Sequence, residues 1–117
     1  DSERVWECSV DEGLNDASFG ELTFAPVNGS GMRLDPSRPL TISFAREGVR
    51  CRPAGREHSQ SLKKLFQECG VPPWLRERTP LIYQGDQLLA VGDWWICADA
   101  VVQEGEDGYI PQWDLST

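Results

Sequence analysis

Residues 59–83 read Ser59-Gln-Ser-Leu-Lys-Lys-Leu-Phe-Gln-Glu-Cys-Gly-Val-Pro-Pro-Trp-Leu-Arg-Glu-Arg-Thr-Pro-Leu-Ile-Tyr83, and here the hydrophobic period of the chain changes. Leu62, Leu65, Phe66 and Cys69 recur at helical spacing and form one apolar stripe, while Lys63, Lys64 and Gln67 fall off it. Ser59 or Ser61 suits the N-cap, and Gly70 suits the left-handed residue that closes the helix. Pro72 and Pro73 cannot continue this helix but fit the first turn of a second one, read over residues 73–78 and stopped by Thr79-Pro80.

On either side of this helix pair the period is two. Arg4 to Val10 reads as a strand, imperfectly alternating. Gly20 to Ala25 alternates Leu22 and Phe24 with Glu21 and Thr23, and Leu40 to Ala45 alternates Leu40, Ile42 and Phe44 with Thr41 and Ser43. Asn28-Gly29 marks a turn between them. The first 45 residues thus predict a small antiparallel sheet of three or more strands. After Pro80, Leu81–Tyr83 and Gln87–Val91 flank a tight turn at Gly85-Asp86, Trp94 begins another strand, and Tyr109–Trp113 reads as an edge strand because Pro111 lacks a ladder donor. The predicted fold is α+β: mainly antiparallel sheet in a layered, sandwich-like arrangement, with a central helix pair packed on it. Trp74 is expected to pack the second helix on the core. Of Trp94 and Trp95, one is expected to point inward and the other outward.

Charge is sorted along the chain. Residues 46–78 carry Arg46, Arg50, Arg52, Arg56, Lys63, Lys64, Arg76 and Arg78 against four Glu, in a protein whose formal net charge is −8. A basic island in an acidic chain points to a local, shaped contact with an anionic partner, because the far field repels phosphate. Arg at most of these positions favours bidentate phosphate contact. Arg56, His58, Ser59 and Ser61 lie at or just before a helix start, where free N–H groups favour anions, and Gly55 lets the backbone come close. The expected polyanion-binding set is Arg46, Arg50, Arg52, Arg56, His58, Ser59, Ser61, Lys63, Lys64, Arg76 and Arg78.

No catalytic constellation accompanies it. His58 is the single histidine, and adjacent Ser59 cannot face it across a site as a nucleophile would. No GxxxxGK[ST], GxGxxG or HExxH motif occurs. The carboxylates are scattered through turns as solubilising charge, and no metal site is expected. Cys8, Cys51, Cys69 and Cys97 fit neither zinc spacing nor a compact disulfide framework and read as reduced thiols of a cytoplasmic protein. No apolar run approaches the ~20 residues of a membrane span, and no secretory leader is read. The start at Asp1 suggests a piece of a longer protein.

Arg50-Cys-Arg-Pro-Ala-Gly-Arg56, Ser61-Leu-Lys-Lys-Leu-Phe-Gln-Glu68, Gly70-Val-Pro-Pro-Trp-Leu-Arg-Glu-Arg78 and Thr79-Pro-Leu-Ile-Tyr83, with Gly85-Asp86 and Ala90-Val91, together resemble the C-terminal domain of bacterial tRNA(Ile)-lysidine synthetases over about residues 38–102. The resemblance implies that residues 1–117 are the tRNA-binding domain of a multidomain ligase, with 1–37 a less certain lead-in. It implies a fold similar to a domain of the phenylalanyl-tRNA synthetase β subunit. It further implies that the parent enzyme uses ATP, with Mg, at an SGGxDS-marked N-terminal domain to adenylylate the wobble cytidine of tRNA(Ile) and attach lysine. This domain would grip that tRNA toward the acceptor stem beside the catalytic domain of its own chain, without cofactor or catalysis of its own, and without DNA or membrane as partner. The alternative is a structural docking module of the same enzyme with little direct tRNA contact.

Overall fold

The computed structural model describes residues 4–44 and 48–115. In chain order these form β1 (Val5–Cys8), β2 (Leu14–Asp16), β3 (Gly20–Asn28), β4 (Leu40–Phe44), β5 (Arg50–Cys51) and β6 (Gln60–Ser61), then α1 (Leu62–Glu68) and α2 (Pro73–Arg76). There follow β7 (Pro80–Gln84), β8 (Gln87–Val91), β9 (Trp95–Ile96), a 3-10 turn at Ala98–Ala100, and β10 (Asp107–Asp114).

The strands form two main sheets and a ribbon. One sheet runs β1-β4-β7-β8-β9, the second runs β10-β3-β2, and β5 pairs with β6 alone. All strand pairs between named strands are antiparallel. The predicted N-terminal sheet is therefore corrected: β1 and β4 belong to one sheet, β2 and β3 to the other. Alternation identifies each strand but not its partner, and the segment around Asn28-Gly29 is no hairpin. Instead β3 runs on to Asn28, and Gly29 N–H bonds Glu106 O at 2.7 Å as β3 pairs along its length with β10. β10 is an edge strand, as Pro111 requires.

The five-stranded sheet is buried on both faces. Ile82, Ala90, Ile42 and Leu40 meet Leu22, Phe19 and Met32 in a core between the two sheets. Leu81 and Val91 point the other way and pack on Leu62, Leu65 and Phe66 of α1. Neighbours on β7 thus serve opposite cores, as the period of two dictates. The result is three layers: sheet, sheet and helices. The layered α+β architecture read from the sequence is the one observed.

Helix α1 forms for local reasons. Its stripe buries Leu62, Leu65 and Phe66, Ser61 Oγ accepts the Lys64 N–H at 3.2 Å, and Gly70 adopts φ 72° after the last turn. Helix α2 is only four residues, shorter than expected. Trp74 does not pack on the core: it is 61% exposed, and Leu75 takes the inward position. Nor do Trp94 and Trp95 split inward and outward. Both are half-buried against Phe66, with ring centroids 6.1 and 5.7 Å from it. The reason is that β9 starts only at Trp95, so strand alternation does not govern Trp94. Ala45 lies outside the described residues.

Truncating Leu65 to Ala should lower the unfolding free energy by about 2–4 kcal/mol through lost burial and a residual cavity. Ser61→Ala should cost about 1 kcal/mol through the lost cap. Urea unfolding followed by circular dichroism measures both.

Candidate nucleic-acid interface

The ribbon closes a loop. Arg50 pairs with Ser61 and Cys51 with Gln60, so the ends of residues 52–59 meet. Within the loop Pro53 to Arg56 makes a turn closed by Arg56 N–H to Pro53 O at 3.0 Å, with Gly55 at φ 89°. A Cβ at Gly55 would touch nothing within 4 Å, so backbone conformation, not crowding, demands glycine there. The loop leans on the far end of the five-stranded sheet: Pro53 bridges Cys97, and Ala98 N–H bonds Arg52 O at 2.7 Å.

Between loop and sheet lies a cleft of about 630 Å³, walled by Arg50, Arg52, His58 and Ser59 on one side and by Tyr83, Gln87 and Asp99 on the other. Glu57 and Asp86 also reach it. The cleft is therefore mixed in charge.

The expected cationic set divides into three groups. Arg52 and Arg56 are neutralised within the fold. Arg52 Nη2 lies 3.0 Å from Asp99 Oδ1, and Arg56 Nη1 lies 2.8 Å from Glu68 Oε1. The Glu68 carboxylate raises the pKa of Arg56 further above its ordinary value, through the hydrogen bond first and charge second. Arg76 and Arg78 brace loops. Arg76 Nε donates to Val71 O at 2.7 Å, with its guanidinium 6.0 Å from the Phe66 ring centroid. Arg78 Nε donates to Ser18 O at 3.0 Å and Nη2 to Ala17 O at 3.1 Å, turning toward the β2–β3 connection instead of the cleft.

The third group is available. Lys63 and Lys64 stand exposed on the outer face of α1, and neither ammonium has an ion-pair or hydrogen-bond partner among the described residues. The exposed His58 ring is likewise unpartnered among them. Arg50 crosses the ribbon to donate to Ser59 O at 2.9 Å, and to Ser59 Oγ at 3.4 Å, but meets no carboxylate among the described residues. Ser61 is spent as the cap of α1, accepting a backbone N–H, and Ser59 as a brace for the Arg50 guanidinium. Arg46 lies outside the described residues. The cleft wall contributed by Gln87 and Asp99 was not read from the sequence. Asp99 stands 47 residues from its partner Arg52, and no local pattern links them.

Among the described residues no three His, Cys, Asp or Glu side chains gather around a metal position, and no helix is long and apolar enough to cross a membrane. The fold is a three-layer α+β domain that, among the described residues, leaves cations unpaired on a short helix and beside a mixed cleft.

A family model described as "TilS substrate C-terminal domain" matches residues 40–113. The tRNA(Ile)-lysidine synthase of Coxiella burnetii is 45% identical over 81 residues, covering 68% of this chain and 18% of the relative. The enzymes of the same name from Vibrio vulnificus (strain YJ016) and Yersinia pestis are 42% and 34% identical, covering 74% and 84% of this chain and 20% and 21% of the relatives. A crystal structure titled as the TILS C-terminal domain superposes with a TM-score of 0.74 at 19% identity, covering 97% of this chain and 99% of that one. The chain belongs to the TilS C-terminal domain family, and it spans about a fifth of the length of the curated relatives it matches.

The division of the cations has a direct test. Arg78→Met should cost about 1–2 kcal/mol of stability, because two loop carbonyls lose a charged donor. Lys63→Met and Lys64→Met should each stay within about 0.5 kcal/mol of wild type. Thermal or urea unfolding of the three variants separates brace from free charge.

Proposed function

We propose that this chain is the tRNA-holding C-terminal domain of a bacterial tRNA(Ile)-lysidine synthase, a ligase acting in the cytoplasm. The parent would use ATP, with Mg, in another domain to adenylylate the wobble cytidine of tRNA(Ile) and attach lysine. This domain would contribute position rather than chemistry, with the ATP site and catalytic residues assigned to another domain, and it would seat the tRNA toward the acceptor stem while the catalytic domain of the same chain works elsewhere on the molecule. The name tRNA(Ile)-lysidine synthase, carried by the relatives, supports tRNA(Ile) as the partner.

One observation carries the reading. In a chain of net charge −8, Arg50, His58, Lys63 and Lys64 have donors uncommitted to any carboxylate among the described residues. Arg52 and Arg56 are held by Asp99 and Glu68, and tRNA phosphates would compete for them. Arg76 and Arg78 would contribute charge rather than direct contacts, since their guanidiniums are engaged by loop carbonyls. Contacts of this kind fix register on the phosphate backbone and read few base edges. A net charge of −8 disfavours RNA contact away from a local cluster of cations.

The exposed Trp74, with Val5 and Ile110, favours a second reading, in which the domain docks on the rest of the enzyme and touches tRNA little. Filter binding of tRNA(Ile) across a salt series separates the two. With about four phosphate contacts, log K should fall with log salt at a slope of about −3. Replacing Arg50, Lys63 and Lys64 together by Glu should abolish binding while leaving the circular dichroism spectrum unchanged. A salt-independent affinity, or a triple variant that still supports lysidine formation by the full enzyme, would favour the docking module.

A further inference from the structure

Two of the four cysteines meet. Cys51, on β5, and Cys97, between β9 and the 3-10 turn, place their sulfurs 2.9 Å apart although 46 residues separate them. A disulfide bond is about 2.05 Å long, so closure requires less than about 1 Å of movement. The backbone around the pair is already fastened. Ala54 N–H bonds Ile96 O at 2.9 Å and Ala98 N–H bonds Arg52 O at 2.7 Å, setting Pro53 opposite Cys97 in an antiparallel bridge. Both residues are buried, at 3% and 7% exposure, yet both line the cleft described above, which gives a small molecule a route to them. The other two thiols have no such neighbour: Cys69 is exposed on the C-terminal end of α1, and Cys8 sits half-buried on β1.

We propose that Cys51 and Cys97 are a redox-active pair that closes reversibly to a disulfide when the protein meets a peroxide or a small-molecule disulfide. This places a modification site in the wall of the cleft, and it stands independently of the tRNA reading. With a peroxide, the Cys51 thiolate attacks one peroxide oxygen, breaks the O–O bond and releases hydroxide, leaving Cys51 as a sulfenic acid. Cys97 sulfur then attacks that sulfur, and the sulfenic oxygen departs as water with the Cys97 proton. Overall two thiols lose two electrons and two protons, and one peroxide becomes two waters. The two sulfurs share one hydrogen bond in which either can donate, and the bond stabilises the thiolate of the acceptor. With Cys97 as donor, it lowers the Cys51 thiol below its ordinary value, while that bond and burial raise Cys97. In that arrangement Cys51 is the initial nucleophile and Cys97 the resolving thiol. The bond would tie the ribbon leading into α1 to the end of the five-stranded sheet, fixing the floor of the cleft.

The test uses the 117-residue chain with hydrogen peroxide, and separately with oxidised glutathione. Intact mass should fall by two hydrogens, the thiol count should drop from four to two, and a digest without reductant should yield one peptide pair joining Cys51 to Cys97. Dithiothreitol should restore the starting mass. The oxidised form should unfold at higher urea, since a link closing so long a loop restricts the unfolded chain. In Cys97→Ser, peroxide should leave Cys51 as a sulfenic acid that dimedone traps, and Cys8→Ser/Cys69→Ser should cross-link as wild type does. Oxidation confined to Cys69, a digest without the Cys51–Cys97 pair, or a lowered urea midpoint on oxidation would overturn the proposal. The wild-type digest decides the matter even if a variant fails to fold.

Discussion

The hairpin of β7 and β8 is buried on both faces, and the other layers depend on it. Leu81 and Ile82 are adjacent in sequence and almost fully buried, yet they face opposite cores. A sheet solvated on one face would need a polar residue at one of them. Because neither is polar, both faces demand cover. The β10-β3-β2 sheet covers one and α1 covers the other. The helix that carries Lys63 and Lys64 is therefore held by apolar burial on its inner side, and its charges are left outward. Hydrophobic packing, not charge pairing, orients the basic face.

Arginine serves two purposes in this domain, and the division follows geometry. A guanidinium has five donors and can satisfy carbonyls in tight connections that no backbone N–H reaches. Arg76 does this at Val71, and Arg78 does it at Ala17 and Ser18. The compact ammonium of Lys63 or Lys64 could not brace a loop in the same way. A sequence-level sum of charge over residues 46–78 merges these tasks, whereas the structure separates them by what each group touches.

What could be read from the sequence was local. The stripe of Leu62, Leu65 and Phe66, the cap at Ser61 and the stop at Gly70 lie within nine residues of one another, and the helix emerged almost as read. The turn at Gly85-Asp86 and the edge position of Pro111 are equally local. The errors share one cause, which is distance along the chain. Alternation in β1, β3 and β4 carries no label of partner sheet. Trp94 and Trp95 do not alternate because the start of β9 is fixed by pairing with β8 rather than by the two residues themselves. Arg52 with Asp99, Arg78 with Ser18, and Cys51 with Cys97 are each joined across 46 to 60 residues, and spacing cannot reveal them.

The position of β3 has a consequence for where this unit begins. The family signature starts at residue 40, but β3 ends at Asn28 and is the middle strand of its sheet, while β1 closes one edge of the other. An excised piece beginning at residue 40 would leave β10 without a partner strand and bare the Leu40 and Ile42 side of the central sheet. Arg78 would also lose both of its carbonyl acceptors. The recognisable signature is thus shorter than the cooperative folding unit. The strands outside the signature contribute pairing and volume, and the helical corner inside it contributes the exposed cations.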